Sequence, residues 1–580
     1  MKKSIAITLS VLMLFSMLPT ASAEADTLEE RTYPCYIGSL DNSVEATLAF
    51  LNGVDDLPYI DMETWGSILY VVCAYALGKE DFDLIYEMDG STLVLTRENG
   101  YDMTIDANED TISFTDYNRF LSFDSEDSML IEILSSSGYN ENGENSLFQR
   151  NRKASFDRYG DAKTIYLADY GIDAFIVEDE FYLPLQTLND IVFSPALSLS
   201  ILFNGEGLYV ANGDSFEGDG EFARNDYGAS YHAVEPHAIS EELASFNYRE
   251  LCLAFDTVYG LKEPHDIKNF SQTFWEIGFD EPLSSTNTAD SDLAIHQFLN
   301  YYLDDQHSTY TSISPYSEID SLDAHAEIVS GTATHIMDKH MDRYADARDK
   351  VMGENIMPYQ EVGNTAYIMF DGFEMNFDPE DYYAFGLDDD APMPDTIGLV
   401  IYAHHQITRE NSPIENVVID LSNNTGGVAD AAVFVLSWVL GESTISLKDS
   451  FTGAMSNGVY RADVNLDREF DAKDTLEDKN VFCLISPVSF SCGNLVPAAL
   501  KASQVVTLLG TKSGGGSCVV QPMSSATGSL FNISGQRRLS FLKNGSFYDI
   551  DEGVDPDFAI MDIFHYYDRE ALTEYINNLF

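Results

Sequence analysis

The sequence predicts an α+β multidomain chain: a β-rich N-terminal module, a helical segment and an α/β core. Three observations predict it. From about residue 30 to 215, β-like runs alternate with turn signals, as in STLVLTREN, DMTIDANEDTISF and AFIVEDEFYLPL. Apolar residues then recur at i, i+3, i+4 spacing in SEELASFNYRELCLAFDTVYGL, IKNFSQTFWEIGF and DSDLAIHQFLNYYLDD. From about residue 355 onward strand-like and helix-like runs alternate, which implies βαβ crossovers and a mainly parallel sheet. At 580 residues the chain exceeds what a single core supports.

Taken in order, Lys2 and Lys3, the apolar run Ile5–Leu18 and the step Ala21-Ser22-Ala23 form an export signal over residues 1–23. A mature, secreted or wall-associated bacterial protein beginning near Glu24 is expected. No cysteine follows the cleavage point, so no lipid anchor is expected, and no later run has the roughly 20 apolar residues of a membrane span. Residues 24–215 form the β-rich module. Within it DDLPYIDMETW and YEMDGSTLVLT are echoed by DEFYLPLQTLNDI and ILFNGEGLYVANG, each half reading as strand, short helix and hairpin around glycine. The pattern resembles small β-rich repeats at the N-termini of secreted Gram-positive proteins, including the copper amine oxidase N-terminal type, which implies a binding or stalk module. Asn212–Tyr231, rich in Gly, Asp and Ser, reads as a linker. Residues 232–330 are the helical segment, with Ser240 and Ser291 as N-cap material. Residues 355–580 are the core, with strands in NTAYIMFDGF, NVVIDLSNN, VFCLIS and QVVTLLG and helices in DTIGLVIYAHHQITREN, VADAAVFVLSWVLGE and the run after Ser491.

Charge narrows the function. The chain has 31 basic and 96 acidic residues, a net charge of −65. Such a surface repels nucleic acid and anionic membrane and could attract basic peptides or divalent cations. Six scattered cysteines form no CxxC pair, so zinc-ribbon sites are excluded. Cys483 reads as a small core residue, and Cys492 with Cys518 is the one candidate bridge. His335, His340, His404 and His405 read as surface or packing residues.

The chemistry concentrates at strand ends, where ligands of such sheets bind. The stretch VFCLISPVSFSCGNLVPAAL reads as a buried strand, a tight turn of small residues and an apolar helix, with Ser491 at the turn. A serine there suits a nucleophile beside an oxyanion hole; alternatively it is a plain helix N-cap. Asp420-Leu-Ser-Asn-Asn-Thr-Gly-Gly427 ends the preceding strand and Gly510-Thr-Lys-Ser-Gly-Gly-Gly516 the following one. Glycines let main-chain amides approach a substrate carbonyl.

Together with Asp305-Gln306-His307-Ser308 and Gly553-Val-Asp-Pro-Asp557, these motifs resemble the S41 serine peptidases, the C-terminal processing and tricorn-like proteases, over roughly residues 240–580. The resemblance implies a βαβ spiral of the ClpP/crotonase type and peptide hydrolysis through an acyl-enzyme. The lysine of the family's Ser/Lys dyad is replaced by glycine near Gly516, with Lys512 close by. The tricorn-like branch implies instead a Ser491–His307–Glu552 triad, with Asp551 as the alternative third member. It also implies an oxyanion hole from the amide of Cys492 and that of Gly426 or Gly427. Ser422 stands where the family carries an arginine, read as a lost ion pair. The interval from Tyr310 to Thr365 is too short for the PDZ domain of many members. A non-catalytic binder on the same fold and a Ser/Lys mechanism through Lys512 are the alternatives. A protein or peptide substrate is expected, no nucleic acid and no membrane span; related proteases often assemble, so a homo-oligomer stays open.

One further motif lies inside the core. Asp463, Asn465, Asp467, Glu469, Asp471 and Asp474 place oxygen side chains at the spacing of an EF-hand or dockerin calcium loop. Arg468 stands where such a loop needs glycine. A structural calcium is the one expected cofactor, against a solvated acidic loop.

Overall fold

The computed structural model describes residues 27–77, 84–98, 100–122, 147–150, 156–216, 225–319, 324, 336–353, 356–385 and 392–579. The export signal and His335 lie outside the described residues.

Four apolar runs build the sheet that carries the site. Thr365–Met369, Asn416–Asp420, Asn480–Ile485 and Val506–Gly510 lie side by side in parallel. Every residue of the first two is buried, as expected of a parallel sheet covered on both faces. Tyr359–Val362 joins one edge antiparallel and Phe558–Ala559 the other in parallel. Helices Thr396–Thr408, Ala429–Leu440 and Cys492–Ser503 follow successive strands. The first is capped by Asp395, whose carboxylate accepts the Gly398 amide at 2.7 Å. Phe434 and Trp438 of the second pack on Val417, Ile419 and Cys483.

A second sheet delivers the histidine. Thr309–Ser312, directly after His307, pairs with Leu530–Ser540, which also pairs with Ser443–Asp449 and Cys518–Ser524. Met455–Ala462 continues this sheet and takes up Phe148–Arg150 and Phe156–Arg158. Two short strands from the N-terminal stretch are thus built into a sheet of the core, a pairing that periodicity alone does not reveal.

The N-terminal region is β-rich, with a seven-stranded and a five-stranded sheet. Tyr59–Asp61 runs into helix Met62–Leu77 and a hairpin of Leu84–Asp89 with Thr92–Arg97. Glu180–Pro184 runs into helical turns from Leu185 and a hairpin of Ser200–Phe203 with Leu208–Ala211. The two leading strands pair antiparallel, Leu183 opposite Ile60.

Helix Glu241–Val258 joins the parts: Leu243, Phe246 and Leu253 enter the N-terminal core, Leu251 and Phe255 the core beneath His307. Ser240 caps it, its Oγ accepting the Leu243 amide at 3.0 Å. Ser291 is not a cap. It lies buried inside helix Thr288–Gln297, which Asn287 caps, and its hydroxyl meets Asn247. Nor is 212–231 a bare linker: helix Asn225–Tyr231 seats Tyr227 and Tyr231 against Tyr209 and Leu530, so two aromatic anchors override the Gly/Asp/Ser composition. Helix Ile336–Met352 occupies part of the interval before Thr365. Among the described residues no helix is long and apolar enough to cross a membrane.

Candidate active site

Ser491 sits between the strand Asn480–Ile485 and the helix Cys492–Ser503 with φ 53° and ψ −122°. That conformation costs a non-glycine residue about 1–3 kcal/mol and persists only where surroundings hold it. They do so here. The Ser491 amide donates to the Gly515 carbonyl at 2.9 Å, and the Phe490 amide to the Asn424 carbonyl at 3.1 Å. Ser486 Oγ and Ser489 Oγ donate to the carbonyls of Ser422 and Leu421 at 2.6 and 2.7 Å. The serine side chain makes no capping bond, so the plain N-cap reading does not hold.

The glycine pair closes on the serine from the neighbouring strand end. Gly426 and Gly427 have φ 114° and 131°. A Cβ on Gly426 would lie 2.6 Å from Ser491 Cβ and 3.2 Å from its Oγ, so only glycine leaves room there. The two amides differ. Gly426 N–H donates to Asn424 Oδ1 at 3.0 Å, whereas those of Gly427 and Cys492 have no partner among the described residues. Gly493 N–H is taken by the Phe490 carbonyl at 2.8 Å. Asn424 and Asn494, both fully buried, are brackets that motif reading passed over. Asn424 also donates to the Phe370 carbonyl at 3.0 Å, and Asn494 joins the Ile550 carbonyl and Ser513 Oγ. Their only signal in the sequence was an amide side chain beside each glycine motif.

His307 is brought to this turn. Its ring lies 4.7 Å from that of Phe490, the residue before Ser491. It is 8% exposed, and Nδ1 is buried without a partner. Burial pushes its pKa down to about 4, opposed by the charge of Asp305, so the ring is neutral and able to accept a proton at neutral pH. Among the described residues no hydrogen bond joins it to Ser491 in this conformation.

The acidic residues divide. Glu552 is exposed and makes no hydrogen bond or ion pair among the described residues. Asp551 accepts from Ser517 N and Oγ, both at 2.9 Å, and its carbonyl accepts the Gly516 amide at 3.0 Å. Burial holds its carboxyl above the ordinary range. Asp551 thus braces the glycine loop that holds the Ser491 amide. Lys512 is exposed on that loop. All six cysteines are buried, and Cys492 and Cys518 form no bridge with each other. His404 packs in the core, where Trp438 Nε1 donates to its Nδ1 at 3.1 Å.

The acidic loop is folded around its own groups. Asp463 accepts the Arg468 amide and Tyr383 hydroxyl, both at 2.6 Å. Asn465 and Asp467 accept the amides of Asp467 and Glu469 at 2.8 and 2.9 Å. Asp474 accepts those of Val464 and Asp471 at 2.8 and 2.9 Å. Lys473 Nζ lies 3.1, 3.3 and 3.6 Å from Asp467, Asp471 and Glu469. Arg468 takes φ 64°, the left-handed turn glycine usually supplies. Among the described residues no group of three or more His, Cys, Asp or Glu is arranged to hold a metal. As placed, these carboxylates face amides and an ammonium and do not fit a calcium ion.

A parallel α/β sheet with a strained serine between strand and helix defines a site of the serine-hydrolase class. Residues 395–560 match the model of peptidase family S41. The chain is similar in structure to a photosystem II D1 C-terminal processing protease, at 16% identity and TM-score 0.26 over 37% of this chain and 54% of that one. It is similar to a lipoprotein from Streptococcus agalactiae at 13% identity and TM-score 0.33, over 59% of this chain and 96% of that one. It is also similar to mature CPAF complexed with lactacystin, at 13% identity and TM-score 0.27, over 37% of this chain and 50% of that one. The chain thus spans about half the length of the first and third. No curated protein sequence matches it.

Proposed function

We propose that the chain is a secreted serine endopeptidase that forms an acyl-enzyme on Ser491. The observation that supports this best is the strained turn: the Ser491 hydroxyl is not used for capping, and the neighbouring amides of Cys492 and Gly427 are unengaged among the described residues. In the proposed reaction Ser491 Oγ attacks the scissile carbonyl and its proton passes to His307. The amides of Cys492 and Gly427 receive the oxyanion. His307 then gives its proton to the departing amine, and water completes the cycle. Gly426, whose amide is occupied, acts by leaving space. Glu552, the third member implied by resemblance, would need to leave solvent to orient His307. The extreme acidity suits basic peptide segments as substrates, and the signal-like N-terminus supports export.

A second reading, a non-catalytic peptide binder on this fold, is favoured by the lack of a Ser491–His307 bond. The test is labelling of the purified mature protein with a fluorophosphonate. The peptidase reading expects labelling that is lost in Ser491→Ala and in His307→Ala. A folded protein that is never labelled favours the binder. Labelling that survives His307→Ala favours Lys512 as base.

A further inference from the structure

His307 has to become a cation during the reaction proposed above, and it has to do so while 8% exposed. A buried charge without a counter-charge is costly enough to stop proton transfer. The loop that delivers this histidine carries two carboxylates, Asp304, which accepts Gln306 Nε2 at 3.1 Å, and Asp305, which is tied to the surrounding elements. Asp305 Oδ1 accepts the Ser308 amide at 2.8 Å, so its side chain caps the turn that contains His307. Asp305 Oδ2 accepts Ser308 Oγ at 2.9 Å and the Tyr259 hydroxyl at 2.8 Å. Ser308 Oγ in turn accepts the Ser534 amide at 3.1 Å, which ties the loop to the strand Leu530–Ser540. Asp304 and Gln306, on either side of Asp305, have φ 45° and 67°. Two left-handed non-glycine residues around one carboxylate are strain held in place by these bonds.

We propose that Asp305, fixed by Tyr259 and Ser308, is the positioning anion of His307, and that Glu552 is not. This rests on the peptidase reading. Because both Asp305 oxygens are engaged, Asp305 acts by its charge and by holding the loop. When Ser491 Oγ bonds to the substrate carbon, its proton moves to the imidazole, and the cation formed shares its loop with the Asp305 carboxylate. The Asp305 charge is the one that opposes the burial of His307. Tyr259 tunes it: its hydroxyl donates to Asp305 and lies 3.2 Å from Nδ1 of the exposed His265. The other titratable groups around Tyr259 and this loop are Asp551, Cys518 and Arg538.

The experiment is the rate of fluorophosphonate labelling against pH, from 4 to 9, on the full mature chain, repeated in a His265→Gln background that removes the imidazole beside Tyr259. Asp305→Asn should slow labelling at least tenfold at neutral pH and move the acid midpoint down, with Asp305→Glu restoring part of both. Tyr259→Phe removes a donor from Asp305 and should move the midpoint up. Opposite shifts are the signature, since a purely structural role moves neither midpoint. Unchanged midpoints in Asp305→Asn and Tyr259→Phe overturn the proposal, as does a Glu552→Gln shift larger than that of Asp305→Asn. If Asp305→Asn does not fold, Tyr259→Phe decides by the same criterion. A wild-type chain that never labels sinks the peptidase reading instead, a result separable from these.

Discussion

Arg569 Nη2 donates to Asp420 Oδ2 at 2.7 Å, with side chains 5% and 0% exposed. Asp420 ends the strand that leads into the glycine pair beside Ser491. Its second oxygen accepts the Ser422 amide at 3.0 Å. The C-terminal helix Arg569–Asn577 therefore fixes the strand end from which Gly426 and Gly427 project.

Removing one partner of such a pair leaves a buried charge, which costs about 3–5 kcal/mol. Arg569→Ala is expected to lower Tm sharply and to slow fluorophosphonate labelling. Arg569→Met, which keeps volume, still strands Asp420 and should not recover stability. Asp420→Asn combined with Arg569→Met should recover part of it. Thermal melts of the wild type, Arg569→Met, Asp420→Asn and the double variant check this, and an additive double variant would show the pair to be uncoupled.

Gly426→Ala tests the close approach at Ser491. A Cβ there would press on Ser491 Cβ, and φ of 114° strains any side chain. Displacing a reacting atom by about 1 Å can cost 100-fold in rate. Labelling of Ser491 is expected to fall by about that factor while circular dichroism stays unchanged. Wild-type labelling would mean that the serine turn and the glycine pair move independently.

The acidic loop gives a metal test. With Lys473 among Asp467, Asp471 and Glu469, a chelator should leave the wild-type Tm unchanged. Lys473→Ala removes the ammonium and leaves three carboxylates facing one another. Its Tm should drop slightly and recover on adding calcium. Chelation that lowers the wild-type Tm would show that calcium displaces Lys473.

Much of the core was legible because its strands are short apolar runs and its helices follow them. The strand Asn416–Asp420 and the helix Ala429–Leu440 fall where periodicity puts them. Ser491 was legible as a turn residue, since strand, small residues and apolar helix are local facts. What was not legible is long-range. Ser422 read as a lost ion pair because the arginine that serves Asp420 comes from residue 569. Phe148–Arg150 read as part of the N-terminal module because nothing local says that its partner is Tyr460 to Ala462. The loop Asp463–Asp474 read as either a calcium loop or a solvated acidic loop because spacing shows where oxygens stand along the chain, not which amides they face. The lowered pKa of His307 was not legible either, since it follows from burial in the folded chain.

Asp190 and Glu250 give the last prediction, in pH. Both are buried, 1% exposed each, where the N-terminal region meets the helix Glu241–Val258. Thr187 Oγ1 donates to Glu250 Oε2 at 2.6 Å and Gln186 Nε2 to Asp190 Oδ1 at 2.9 Å, while Glu250 Oε1 has no donor. Burial raises the Glu250 pKa to about 7, and burial together with the Glu250 charge holds Asp190 well above the carboxylate range. The folded protein therefore keeps protons here that the unfolded chain sheds near pH 4. Their contribution to stability is full below about pH 4 and is lost as pH rises through 7. The buried histidines His307 and His404, both lowered to about 4, have the opposite sign and lose stability as pH falls from about 6.5. A difference between variants is needed to isolate the acids. Glu250→Gln should melt higher than wild type at pH 8, with the gap closing by pH 5. Because Gln186 Nε2 also donates to Ser524 at 3.0 Å, on the strand Cys518–Ser524, the gain should extend to that strand's amide exchange. A gap that is constant with pH would mean that the pair does not titrate between 5 and 8.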